Sequence, residues 1–380
     1  MRLLLCPDSF KGSLSSLDVT RAMTDGIHRQ WPDALIECRP MADGGEGMAA
    51  IVTADLGGDW HQTRVHGPHG RPVLAGWGHD RGRNQAVVEV AAACGLDLLT
   101  TDDPDIWHRD TRGVGELILA ALDAGAQRII IGLGGSGTND AGVGMLAALG
   151  VRFLDANNRP LPPNPAALAA LDRVDFSQLD ARLAATELVV LTDVDNPLNG
   201  AQGASAIFGP QKGLAKDQIE EMDTRIRWIA ERIRSQSPSC GSLDQPGTGA
   251  AGGLGFALIS VLGATRHVGS QYIADLIGLD AAIGAADLVI TGEGNLDGQT
   301  SRGKVVSEVV RRATAQGKPV IAIAGGVQCT PEEIHAMGLS TALSLTNAEI
   351  SVPEAMARSA ELIAERTKQA IESWRRSNLR

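Results

Sequence analysis

Residues 3–13 read Leu3-Leu4-Leu5-Cys6-Pro7-Asp8-Ser9-Phe10-Lys11-Gly12-Ser13. A short unbroken apolar run ends in a loop of proline, glycine and polar residues, and an amphipathic stretch follows over 15–30. A run that is apolar at every position suits a strand buried on both faces, the condition of a parallel sheet. The same grammar returns along the chain. Leu35-Ile36-Glu37-Cys38 leads to Met41-Ala42-Asp43, and Arg128-Ile129-Ile130-Ile131 leads to Gly132. Leu288-Val289-Ile290 leads to Thr291-Gly292, Val320-Ile321-Ala322-Ile323 to Ala324-Gly325-Gly326, and Thr341-Ala342-Leu343-Ser344-Leu345 to Thr346-Asn347. Helical patterns such as 114–126 and 303–317 lie between them, so the order predicts βαβ units and an α/β fold on a parallel sheet. Ligands of such sheets bind beyond the carboxyl ends of the strands, where the glycine-rich loops of this chain fall.

Two regions break the pattern. Residues 60–100 alternate apolar and polar positions around the turn signals Gly67-Pro68-His69-Gly70 and Arg81-Gly82-Arg83-Asn84, which reads as hairpin structure. Residues 151–270 hold a loop rich in Pro and Asn at 157–165, one strand at 187–192, and helices near 215–235 and 250–262. The expectation is a parallel-sheet domain made of 1–60, 105–150 and 271–380, with a second α/β domain, 61–104 plus 151–270, inserted into it.

The chain has 380 residues, 43% hydrophobic but only 3% aromatic, so its core must be aliphatic. A net charge of −11 argues against general binding to nucleic acid. Cys6, Cys38, Cys94, Cys240 and Cys329 form no Cys-x-x-Cys pair, which fits free thiols in a reducing cytoplasm. The opening apolar run is too short for a signal peptide, and no segment approaches the roughly 18 apolar residues of a membrane span.

Four loops carry most of the chemistry. In 7–13, backbone N–H groups and the Ser13 hydroxyl would face an anion, with Lys11 as a point charge; the plainer reading is a turn in which Ser13 caps a helix. In Met41-Ala42-Asp43-Gly44-Gly45-Glu46-Gly47, two carboxylates flank a flexible glycine pair and could hold Mg²⁺ or orient a hydroxyl. In 132–144, Gly134, Gly135, Ser136, Thr138, Asn139 and Asp140 suit a phosphate or a hydroxyl-rich ligand. Gly132, Gly134 and Gly137 also satisfy the dinucleotide pattern, with Asp155 downstream, which keeps a nicotinamide-dependent dehydrogenase in view. In 291–304, Glu293, Asp297 and Lys304 provide metal-bridging acids and a phosphate lysine. Gly298 to Lys304 resembles a P-loop, but Val305 stands where its Ser/Thr should be.

Two weaker signals remain. In Thr192-Asp193-Val194-Asp195, alternation along a strand end points the two acids to opposite faces, and Asp193 is the one expected at a site. Lys212 follows Phe208-Gly209-Pro210-Gln211, as on a lid. Six lysines occur in the chain, and Lys11, Lys212 and Lys304 each adjoin a glycine.

Taken in order, Pro7 to Ser13, Met41 to Gly47, Gly134-Gly135-Ser136 with Thr138-Asn139-Asp140, Phe208 to Gly213, and Thr291-Gly292-Glu293-Gly294 with Leu296 to Thr300 resemble the type I glycerate kinase family over nearly the whole chain. Met48, Val114 and Gly137 depart from its usual residues, without removing a charge. The resemblance implies a two-domain fold with one flavodoxin-like, Rossmann-related domain. It also implies use of ATP and Mg²⁺, and (R)-glycerate as substrate, with 2-phosphoglycerate as the product and 3-phosphoglycerate the other possibility.

Chemistry then suggests the roles. Asp193 or Asp43 would accept the hydroxyl proton, and Lys11 and Lys304 would neutralise the moving phosphoryl. Glu293 and Asp297 would hold Mg²⁺. Ser13, Gly134, Gly135 and Ser136 would bind phosphate, while Asp8, Ser9, Asn139, Asp140 and Lys212 would bind substrate. The expected site is a cleft between the lobes that closes to exclude water. A non-catalytic sensor of a sugar acid is a further alternative. The protein would be a monomer or a homodimer, with the aliphatic helix face near 215–235 able to pair.

Overall fold

The computed structural model describes residues 1–100, 103, 105–237, 239–297 and 305–378. In chain order the strands are β1 (Arg2–Leu5), β2 (Leu35–Cys38), β3 (Asp59–His66), β4 (Pro72–Asp80), β5 (Gln85–Glu89), β6 (Arg128–Gly132), β7 (Arg152–Leu154), β8 (Arg173–Asp175), β9 (Glu187–Leu191), β10 (Thr265–His267), β11 (Leu288–Leu296), β12 (Val320–Val327) and β13 (Thr341–Ser344). They divide between two compact units, 1–43 with 270–380, and 44–269.

The first unit holds a five-stranded sheet in the order β2-β1-β11-β12-β13, parallel throughout. Counted within the unit, this is the flavodoxin-like order 2-1-3-4-5, whose switch point lies between β1 and β11. Leu3, Leu4, Leu5, Val289, Ile290 and Val320 are fully buried, as unbroken apolar runs demand. The helix Ser16–Gln30 starts at Ser15, whose Oγ accepts the Asp18 N–H at 3.2 Å; Ser15, not Ser13, is the cap. That helix buries Val19, Met23 and Ile27 on one face. It meets the helix Ser359–Asn378 at Gly26, where a Cβ would collide with the Ala364 carbonyl oxygen.

The second unit, inserted between β2 and β11, carries a six-stranded sheet in the order β10-β9-β6-β5-β4-β3 and the small pair β7-β8. β4 runs antiparallel to both β3 and β5, whereas β5, β6, β9 and β10 are parallel. The expected hairpin over 60–100 is present. Its first turn closes with Gly67 N–H on the Arg71 carbonyl at 2.7 Å, and Gly70 takes a φ of 80° that a side chain would resist.

The boundaries differ from those expected. Residues 44–60 and 105–150 belong to the second unit, because β6 pairs with β5 and β9 rather than entering the first sheet. A buried apolar strand reads alike whichever parallel sheet it joins, so its partners are invisible locally. The helix near 215–235 also changes meaning. It spans Ile219–Gln236 and buries Met222, Ile226, Ile229 and Ile233 in its own unit's core, so that face is not available for pairing. Among the described residues no helix is long and apolar enough to cross a membrane.

Candidate active site

The loop after β1 runs beside the far half of β11 at the sheet's switch point. The Asp8 N–H donates to the Gly292 carbonyl at 2.8 Å, and Thr291 Oγ1 donates to the Cys6 carbonyl at 2.9 Å. These bonds bring Asp8 and Glu293 to the rim of one cavity of about 570 Å³, lined also by Ser9, Lys11, Ser13, Asp43 and Asp297. Asp43 arrives from the loop after β2, since Met41 N–H is held by the Pro7 carbonyl at 2.9 Å. Lys11 Nζ lies 3.5 Å from Asp43 Oδ2, with the lysine side chain 73% exposed. Gly12, at φ 74°, makes the turn that presents this lysine.

The cavity is electrostatically unbalanced toward the negative. Asp8 and Glu293 are both buried. Burial, then the charges of Asp43 and Glu293, push the Asp8 carboxyl up to about 8, against the pull of the Ser9 N–H and Lys11. Acids crowded in this way favour a cation, and an all-oxygen donor set is the kind Mg²⁺ takes. Among the described residues no three acids converge into a closed metal cage. Mg²⁺ is commonly held by one or two carboxylates together with substrate phosphates and water. Glu293 and Asp297 stand where they could supply those carboxylates; Asp297 Oδ2 also accepts the Asn295 amide at 2.9 Å. Lys304 lies outside the described residues.

Ser13 has a partner other than phosphate. Its Oγ donates to the Met356 carbonyl at 3.3 Å and bonds the Ser359 hydroxyl, tying the loop to the C-terminal helices.

The other expected residues lie in the second unit. Lys212 is buried, and its Nζ donates to Ser136 Oγ and to the Thr138 carbonyl, both at 2.8 Å. Burial pushes this ammonium down to about 8. Arg109, which the sequence reading missed, donates to the Lys212 carbonyl at 2.8 Å and the Gly137 carbonyl at 3.3 Å. Asn139 donates to Ser205 Oγ at 3.0 Å. Asp140, expected at substrate, is instead turned inward: Thr111 N–H and hydroxyl, Gly142 N–H and Gly144 N–H all donate to its carboxylate. A carboxylate so engaged holds its own loop together. Asp193 Oδ1 accepts the Gly269 N–H at 2.6 Å, while Asp195 pairs with Arg266, so the two acids have different partners.

The glycines of 132–137 serve the backbone of their own unit. Gly134 N–H donates to the Gly44 carbonyl at 3.1 Å. A Cβ on Gly132 would strike that carbonyl, and one on Gly134 would strike Gly45. The dinucleotide pattern is therefore spent on chain crossing, which removes the support for a dehydrogenase. The helix Met48–Leu56 that follows the loop starts at Gly47, which has no side chain to cap it. Glu89 substitutes, accepting Gly47 N–H at 3.1 Å and the N–H of Ala49. The cavity residues assigned no role from the sequence include Phe10, Asn295, Gln328, Thr346, Val352, Ala355, Met356 and Ser359. Phe10, Asn295 and Thr346 stand in loops or strand ends that did carry a signal; the others do not.

Comparison with known proteins agrees with this architecture. The sequence model described as "Glycerate kinase family" matches residues 3–375. The chain is 40% identical over 371 residues to the glycerate kinase of Bacillus subtilis (strain 168), covering 98% of this chain and 97% of that protein. It is 41% identical over 356 residues to the glycerate 2-kinase of Escherichia coli (strain K12), covering 93% of each. The crystal structure of a protein described as glycerate kinase 2 from Salmonella typhimurium LT2 superposes with a TM-score of 0.84 at 38% identity, covering 100% of both chains.

Proposed function

The chain belongs to the glycerate kinase family, and from that premise we propose that it transfers the γ-phosphate of ATP to a hydroxyl of (R)-glycerate, giving 2-phosphoglycerate and ADP. The name of the Escherichia coli relative, glycerate 2-kinase, favours the 2-hydroxyl over the 3-hydroxyl. The observation that carries the reading is the meeting of Lys11, Asp43, Asp8 and Glu293 in one cavity at the switch point.

Phosphoryl transfer requires little covalent work from a protein; it needs positioning and charge. In this reading Lys11, joined by Lys304, neutralises the moving phosphoryl group. Asp43 accepts the hydroxyl proton, with the Lys11 ammonium 3.5 Å from its Oδ2. Asp193 is the alternative base, but its Oδ1 already holds the Gly269 N–H. Glu293 and Asp297 would hold Mg²⁺, which would supply positive charge against the phosphates. Asp8 and Ser9 line the place where the acceptor would lie. Lys212, Ser136 and Asn139 act within the second unit, where Lys212 orders the 136–138 loop. That the lobes close over substrate is part of the proposal, motivated by the need to keep water from the phosphoryl group. We place the enzyme in the cytoplasm, as a monomer or homodimer.

Phosphorus NMR of the product formed from ATP, Mg²⁺ and (R)-glycerate tests the reading. The expected spectrum shows ADP with 2-phosphoglycerate. A 3-phosphoglycerate signal would move the acceptor to the other hydroxyl. Binding of glycerate without any ADP would replace the kinase by a sensor.

A further inference from the structure

Eight large hydrophobic side chains are exposed among the described residues, and two of them, Val352 and Met356, share the helix Val352–Ala357. Four residues apart on a helix is one face. Val352 is 63% exposed and Met356 44%. Single apolar side chains at a surface need no explanation. These two, however, line the same cavity as Asp8, Lys11 and Glu293, beside Leu345. The cavity therefore has a charged end and an apolar wall.

The two ends are held in register. Ser13 Oγ donates to the Met356 carbonyl at 3.3 Å, and a Cβ placed on Gly12 would lie 3.3 Å from Met356 Cε. The loop that carries Lys11 is thus fastened to the apolar helix. A bare phosphate has no use for the wall, and a neutral ring has none for the lysine. A ligand with a flat, weakly hydrated ring at one end and a polyanion at the other uses both.

We propose that the Val352–Met356 face is the subsite for the purine base of the nucleotide whose phosphates meet Lys11. This rests on the kinase reading and adds the place where the nucleoside lies. The methionine thioether is polarizable and adapts to a ring laid against it. The branched Val352 is stiff and gives the ring a fixed edge.

The test uses the full chain with Val352→Asp and Met356→Glu, and with Val352→Ile and Met356→Leu as apolar controls. Both positions are exposed, so the fold should tolerate the charge. The KM for ATP should rise about tenfold or more in the acidic variants, the order expected when a base loses its contact surface. The KM for glycerate should stay at its wild-type value, and the apolar controls should keep the KM for ATP well below that of the acidic variants. Adenosine should inhibit wild type in competition with ATP but not the acidic variants, whereas inorganic tripolyphosphate should inhibit all of them alike. An unchanged KM for ATP in both acidic variants of an active enzyme would overturn the subsite and leave the kinase reading intact. If the wild type makes no ADP, the kinase reading falls. Calorimetry with ADP then decides the subsite, and equal affinity in wild type and acidic variants overturns it.

Discussion

Lys11 Nζ stands 3.5 Å from Asp43 Oδ2, so the loop after β1 and the loop after β2 meet through an ammonium and a carboxylate. With the lysine side chain 73% exposed, solvent screens this pair. Pairs of that kind stabilise a fold by only about 0–1 kcal/mol. What the contact contributes is placement: it sets an ammonium and a carboxylate side by side in the lining of the cavity.

Asp43→Asn should therefore leave thermal stability nearly untouched and lower kcat by about 10²–10⁴, the usual range for a lost base. Steady-state kinetics beside a melting curve check both halves. Wild-type turnover in Asp43→Asn, with turnover lost in Asp193→Asn, would transfer the base to Asp193.

Asp8 yields a pH prediction. Its carboxyl lies at about 8 in the fold, against 3.8 ordinarily, chiefly through burial and then through Asp43. The folded state thus binds this proton more tightly than the unfolded chain. Its contribution to stability is fully present below the unfolded value and is lost as pH rises through 8. Asp8→Asn should flatten the decline in unfolding free energy between about pH 5 and 8. Parallel curves for wild type and variant in urea titrations would contradict this.

Gly26→Ala separates packing from helix propensity. By propensity alone the change should stabilise the helix Ser16–Gln30 by about 1 kcal/mol. The Ala364 carbonyl oxygen occupies the place of the new Cβ, so the two helices must part. A net loss of about 1–3 kcal/mol is expected. Chemical denaturation measures the sign, and a stabilised variant would show that the contact yields easily.

Lys212→Ala removes a buried donor and leaves Ser136 Oγ and the Thr138 carbonyl without it. Together with the lost packing, this should cost about 2–4 kcal/mol in a urea titration. A variant as stable as wild type would mean that Lys212 does not order the 136–138 loop, and would return it to a role at substrate.

Much of the site was legible because the loops after buried apolar strands stand out locally. Asp8, Lys11 and Asp43 follow such strands, Glu293 and Asp297 follow the apolar run 288–290 that opens β11, and all five line one cavity. Asp140 misled because a carboxylate that closes its own loop and one that awaits a ligand look the same in sequence. Val352 and Met356 gave no signal, since an apolar pair spaced by four usually marks a core face and only their exposure shows otherwise.

From the sequence alone came the alternation of buried strands and helices, the loops that bear charge, and the hairpin over 60–100. Each depends on neighbours within a few residues, and burial imprints a period on such neighbours. Only the tertiary structure decided which sheet β6 joins, that Gly132 and Gly134 make room for Gly44 and Gly45, and that residues as distant as Asp8, Asp43 and Glu293 line one cavity. Strand partners and chain crossings are chosen by contacts between segments far apart, and no local pattern records them.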